Sequence, residues 1–170
     1  MKALMAITKI LVGLAKWSAI VTAVIMTIMI FLQVIFRYVI KAPLSFSEEL
    51  ARYMFVWSVA MGSALALRKR QHIGVEVFVE WLPVRVRDKV EIAGSLFNLL
   101  FFGLLVSYGF VMVGATMDQL SPALLLPMGY VYLAIPSSGI VLFVCEIANF
   151  LEKYLGSEVR TESSDRRAEK

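Results

Sequence analysis

Charged side chains are scarce in this 170-residue chain, and those able to do chemistry gather at a few places. Glu48, Glu49 and Arg52 lie within one short stretch, soon after Arg37 and Tyr38. Carboxylates beside guanidinium groups can pair, carry protons or present a charged docking patch. Glu48 precedes Arg52 by four residues, the favourable order for an ion pair along one helix face. Close to a bilayer boundary unpaired charge is expensive, so such a cluster is expected to pin helix 1 to helix 2 or to meet a partner protein. A second basic group, Arg68, Lys69 and Arg70, leads into His72, the sole histidine. Imidazole titrates near neutrality, although a histidine beside cations at an interface more often bonds to backbone or lipid. The three cations suit anionic headgroups, at about 1 kcal/mol each. Gln33 is the main polar side chain within the first apolar run, placed for an interhelical hydrogen bond.

Other chemistries lack their residues. Bis-histidine haem ligation within the chain is excluded by a single histidine. No Cys/His cluster suggests zinc, and no glycine-rich phosphate loop occurs. No cofactor is expected. Ser137 and Ser138 lack a histidine at their depth, so an intramembrane hydrolase is not indicated. Cys145 is the only cysteine, which rules out an intramolecular disulfide. An ion-coupled carrier acting alone normally keeps an ionisable residue near mid-bilayer, and the centres of these runs hold none. The net charge of +4 does not signal nucleic acid, because its distribution follows a membrane pattern.

The elements that position these residues are long apolar helices. Hydrophobic residues make up 59% of the chain and charged ones 18%, against about 45–50% and about 25% in soluble domains. Uncharged runs extend over Trp17–Phe36, Ile92–Met117 and Gln119–Cys145, each long enough for about 30 Å of hydrocarbon. A shorter run, Tyr53–Leu67, is bracketed by Arg52 and Arg68, whose stems can snorkel to opposite interfaces. The fold class is therefore an all-α membrane protein with four spans, about 10–38, 46–70, 90–117 and 128–151. With both termini cytoplasmic, fourteen basic residues fall inside and three, Arg37, Lys41 and Arg52, outside. The basic N-terminus precedes too long an apolar run, without a small-x-small site, and reads as a retained helix and not a cleaved signal.

Between the spans, Ser45 and Glu48 fit a capping box after Pro43. In the inner loop Ile73, Val77 and Trp81 repeat every four residues, which suggests a short interfacial helix with Trp81 at headgroup level. Gly94, Gly103, Gly109 and Gly114 are expected at close contacts of the third helix. Pro136 is expected to kink the fourth, with the freed carbonyl turned to a neighbour or to Ser137 and Ser138. Residues 156–170 read as a polar, disordered cytoplasmic tail.

Several stretches carry a family likeness. Phe36-Arg37-Tyr38, the segment from Pro43 through Phe46-Ser47-Glu48-Glu49-Leu50-Ala51-Arg52, the run Arg68 to Gly74, Ser121-Pro122-Ala123-Leu124, and Pro127 to Tyr132 with Pro136 stand in order on a four-span layout. Together they resemble the small, DctQ-type membrane subunit of tripartite ATP-independent periplasmic (TRAP) transporters. Phe46 stands where that family often has Trp, and Glu76 where it often has Asp. The resemblance implies a non-catalytic subunit of the bacterial inner membrane. It implies a large multi-span permease as partner, driven by an ion gradient, usually sodium. It further implies a periplasmic substrate-binding protein that delivers organic acids such as dicarboxylates or sialic acids. Arg37, Tyr38, Glu48, Glu49 and Arg52 are the candidates for subunit contact or docking, and Arg68, Lys69, Arg70, His72 and Trp81 for the cytoplasmic or phospholipid interface. The alternative is a small self-contained exporter acting as a dimer. Such proteins need a carboxylate in helix 1, which has none.

Overall fold

The computed structural model describes residues 2–42, 44–68 and 84–168. The first apolar run folds into helix α1, Lys2–Ile35, whose last turn widens into a π-helical segment, Phe36–Ile40. Helix α2 covers Ser45–Arg68, α3 Val84–Thr116, α4 Gly129–Tyr132 and α5 Ala134–Ala168. Four stretches are long and apolar enough to cross a membrane: Leu4–Ile40, Ser45–Arg68, Ile92–Thr116 and Gly129–Glu152. The described residues contain no β-strand beyond an isolated bridge between Leu120 and Pro127. Lys41, Ala42 and Leu44 after α1 and residues 117–128 lie together at one end of the molecule, the double-loop end. The start of α1 and the end of α5 lie at the opposite, terminal end.

Helix boundaries run further than the apolar runs that suggested them. Helix α1 begins at Lys2 and α3 at Val84, because hydrophobicity marks where a helix is in lipid and not where it stops. The chain from Glu152 to Ala168 also continues as helix, in place of the expected disordered tail. Its Glu, Lys, Arg, Ala and Leu content carries strong helix propensity. The expected interfacial helix with Ile73, Val77 and Trp81 lies outside the described residues.

The turn after α1 closes with a bond from the Ala42 amide to the Phe36 carbonyl (3.1 Å), with Lys41 left-handed at φ 58°. That six-residue closure caps the final carbonyls of the helix. The capping box does not form. Helix α2 begins at Ser45 itself, the Ser47 hydroxyl donates to the Leu44 carbonyl (2.8 Å), and Glu48 is taken by Arg52.

Pro136 interrupts the last span as expected, but the hydroxyls of Ser137 and Ser138 go to other carbonyls than the freed one. The Tyr132 carbonyl, four residues back, has no N–H to receive from proline, and the helix breaks at Leu133 between α4 and α5. The Ser137 hydroxyl donates to Leu133 (2.6 Å) and Ala134 (3.1 Å), and that of Ser138 to Ile135 (3.0 Å). Of the four glycines of α3 only Gly109 marks a contact, where a Cβ would lie 3.0 Å from Pro136 Cδ and 3.1 Å from its backbone nitrogen. Gly94, Gly103 and Gly114 face open space.

The core joins α1, α2, α3 and α5 through Ala15, Met61, Ala64, Leu67, Phe102, Val141, Leu142 and Cys145. Ala15 and Ala64 let the backbones approach closely, the packing that lipid-embedded helices rely on. Helix α5 sits centrally, against α1, α2 and α3, whereas the backbone of α3 packs on α4 and α5 alone among the described elements. Large apolar side chains such as Leu14, Trp17, Phe31, Leu96 and Phe97 point outward, as a lipid-embedded surface requires.

Candidate functional site

Polar contacts concentrate where the spans meet their boundaries. At the double-loop end, the start of α2 puts Glu48 and Glu49 on different faces of one helical turn. Glu48 turns outward and accepts a hydrogen bond from Arg52 Nη2 at 3.0 Å, an exposed pair with the expected spacing. Glu49 turns inward, across to the 117–128 connection. Its Oε1 accepts the Tyr53 hydroxyl at 2.5 Å and its Oε2 the Ala123 amide at 2.7 Å.

That connection is a tight turn closed on itself. The Ser121 amide donates to the Leu126 carbonyl (2.9 Å), the Leu125 amide to the Ser121 carbonyl (3.2 Å), and the Met128 amide to Gln119 (2.8 Å). The Ser121 hydroxyl accepts the Leu126 amide (3.2 Å), and Ser121 is buried. Tyr53 also reaches the Met128 sulfur at 3.3 Å, at the foot of the last span. The carboxylate of Glu49 therefore fastens α2 to the turn that joins α3 and α4.

This placement changes the sequence reading. The cluster was expected to pin helix 1 to helix 2 or to meet a partner, and among the described residues no bond joins Arg37 or Tyr38 to Glu48, Glu49 or Arg52. Arg37 and Tyr38 stand exposed at the end of α1. Gln33 likewise makes no interhelical hydrogen bond, because its half of α1 has no fully buried position.

At the terminal end, Arg68 forms the counterpart. Its guanidinium donates to Glu152 through two nitrogens, at 2.8 and 3.1 Å, and to Asn149 Oδ1 at 2.6 Å. The Asn149 amide returns a bond to the Leu67 carbonyl at 3.2 Å, so the end of α2 is tied to α5 from both side chain and backbone. The pair is about three-quarters covered, with 27% and 29% of the side-chain surfaces exposed. Arg68, a candidate for the lipid or cytoplasmic interface, is engaged by Glu152 and Asn149. Lys69, Arg70, His72 and Trp81 lie outside the described residues. Sequence reasoning missed Asn149 and Glu152, although their spacing of three puts both on one face of the last helix. It also passed over Glu146, a carboxylate only 6% exposed on α5, one and two-thirds turns from Glu152, or about 9 Å along the axis.

Comparison with known proteins places these features in a wider group. A family model described as the DctQ component of tripartite ATP-independent periplasmic transporters matches residues 26–156. A TRAP transporter small permease protein of Haemophilus influenzae is 27% identical over 95% of this chain and 94% of its own length. The C4-dicarboxylate TRAP transporter small permease protein of Rhodobacter capsulatus is 35% identical over 55% of this chain and 42% of its own. The isethionate TRAP transporter permease protein of Oleidesulfovibrio alaskensis is 31% identical over 54% of this chain, a match covering 15% of that longer protein.

Proposed function

The chain belongs to the DctQ family of tripartite ATP-independent periplasmic transporter components, and on that footing we propose that it is a non-catalytic scaffold for a large permease subunit. Its four spans make it a multi-pass membrane protein. The observation that carries the scaffold reading is the arrangement of the latches. Glu49 at one boundary and Arg68 with Glu152 at the other tie the helices together, while the core between them is built of apolar side chains. Such a body resists deformation. The match to a segment of a longer permease protein supports a permease as partner, since in that relative a similar stretch is part of the permease polypeptide.

In this reading the transporter takes up an organic acid on an ion gradient, sodium being the coupling ion the family resemblance implies. The chain sits in the bacterial inner membrane with both termini cytoplasmic, as the basic-residue bias favours. The double-loop end then faces the periplasm. There Arg37, Tyr38 and the Glu48–Arg52 pair remain available to a substrate-binding protein, whereas Glu49 is engaged by the turn. Reconstitution tests this. Proteoliposomes with permease, binding protein and this chain should take up an organic acid under an inward sodium gradient. Omitting this chain should abolish uptake. Undiminished uptake without it, or uptake by this chain alone, contradicts the proposal.

A further inference from the structure

The turn between α3 and α4 exposes more hydrocarbon than a water-facing turn normally carries. Leu120, Leu125 and Leu126 are 60%, 66% and 44% exposed. Turns at such positions usually use Gly, Asn, Asp or Ser. Leu125 moreover sits in the left-handed region at φ 53°, where a glycine would be unstrained. A bulky apolar residue is thus held in a strained, exposed place by a fully bonded frame. The frame comprises the Leu120–Pro127 bridge, the Ser121 contacts and the Glu49 carboxylate on Ala123. The leucines are presented by a rigid support.

We propose that this turn is a lipid wedge, with Leu120, Leu125 and Leu126 seated in the leaflet at the double-loop end, where they set the depth of the α3–α4 junction. Position selects the occupant. The flanking spans end at Thr116 and begin at Gly129, so the turn lies at the edge of the hydrocarbon. Val111 and Met112 in the last turns of α3 and Tyr130 at the start of α4 are exposed as well. A tyrosine at that level is the residue type of a membrane-interface belt. Asp118 is the single charge between Met117 and Met128, so the turn itself offers little to a charged partner and much to hydrocarbon. Apolar groups at this level gain by joining acyl chains. The inference rests on the four spans and stands apart from the identity of the transported solute.

The test uses the full chain assembled with its permease in nanodiscs of phosphatidylethanolamine and phosphatidylglycerol. Buried Cys145 is replaced by alanine, and single nitroxides are attached through Leu120→Cys, Leu125→Cys, Leu126→Cys and, as the aqueous control, Asp118→Cys. Collision rates with oxygen and with a water-soluble nickel chelate report depth. The wedge predicts a several-fold higher oxygen-to-nickel ratio at the leucine sites than at Asp118. Nickel accessibility equal to that at Asp118 would place the turn in water and overturn the proposal. Closure to both reagents would place it against protein and overturn it equally. Leu125→Gly keeps the backbone conformation and removes only the side chain. With it, a nitroxide at Met112→Cys should move towards the aqueous side, and an unchanged depth there would show that the leucine sets nothing.

Discussion

Replacing Gly109 tests the packing of the last two spans, because the seat of Pro136 can be followed atom by atom. A Cβ on residue 109 would meet Pro136 Cδ at 3.0 Å, its Cβ at 3.1 Å and its nitrogen at 3.1 Å, a few tenths of an ångström short of ordinary contact. Proline cannot swing away: its ring is tied to the backbone, and Pro136 is fully buried. Helices α3 and α5 must therefore separate slightly, an overpacking cost of about 1–3 kcal/mol. Alanine returns about 1 kcal/mol of helix propensity over glycine. Gly103→Ala supplies the reference, since nothing lies within 4 Å of a Cβ there and only the propensity gain remains. The two variants should thus differ by about 1–3 kcal/mol in stability. At about 2–4 °C per kcal/mol for a chain of this size, Gly109→Ala should melt roughly 2–12 °C below Gly103→Ala. Thermal unfolding of both variants in the same detergent, followed by tryptophan fluorescence, is the assay. Equal midpoints, or a higher one for Gly109→Ala, would refute the claim that Gly109 exists to admit Pro136.

Three further outcomes are expected. Arg68→Ala should lower stability by about 1.5–3 kcal/mol, since hydrogen bonds to charged groups are lost; adding Glu152→Ala should cost little more, as a double-mutant cycle on thermal midpoints would show. Glu49→Ala removes the acceptor of the Ala123 amide and of the Tyr53 hydroxyl, and hydrogen exchange at 121–126 should quicken well before that of α2. Glu48→Ala and Arg52→Ala should each change stability by at most about 1 kcal/mol, since their pair is exposed; loss of uptake in either, with the fold intact, would identify a docking surface.

The spans were legible because uncharged runs of helical length have few other uses, and Pro136 announced its own break. Helix ends were less so: Lys2 and Val84 extend helices into stretches whose polarity does not distinguish helix from loop. At the candidate site, local spacing revealed the contact it encodes, Glu48 with Arg52 one turn on. It could not reveal that Glu49 reaches Ala123, 74 residues away, or that Arg68 reaches Glu152, 84 away. Such pairs depend on which helices become neighbours, and apolar runs alone do not specify that. Tyr53, four residues after Glu49, was the available hint that this carboxylate faces inward. Asn149 and Glu152 on one face were the corresponding hint for Arg68. Gln33 shows the converse, a polar residue whose expected partner is absent because the helices do not close around it.

A scaffold of this kind works only when bound to a large permease. Affinity purification of the tagged, full-length chain from its native membrane, followed by mass spectrometry and native mass determination, tests it most directly. A multi-span permease should co-purify in fixed stoichiometry. Recovery of the folded chain alone, or only as copies of itself, would contradict it.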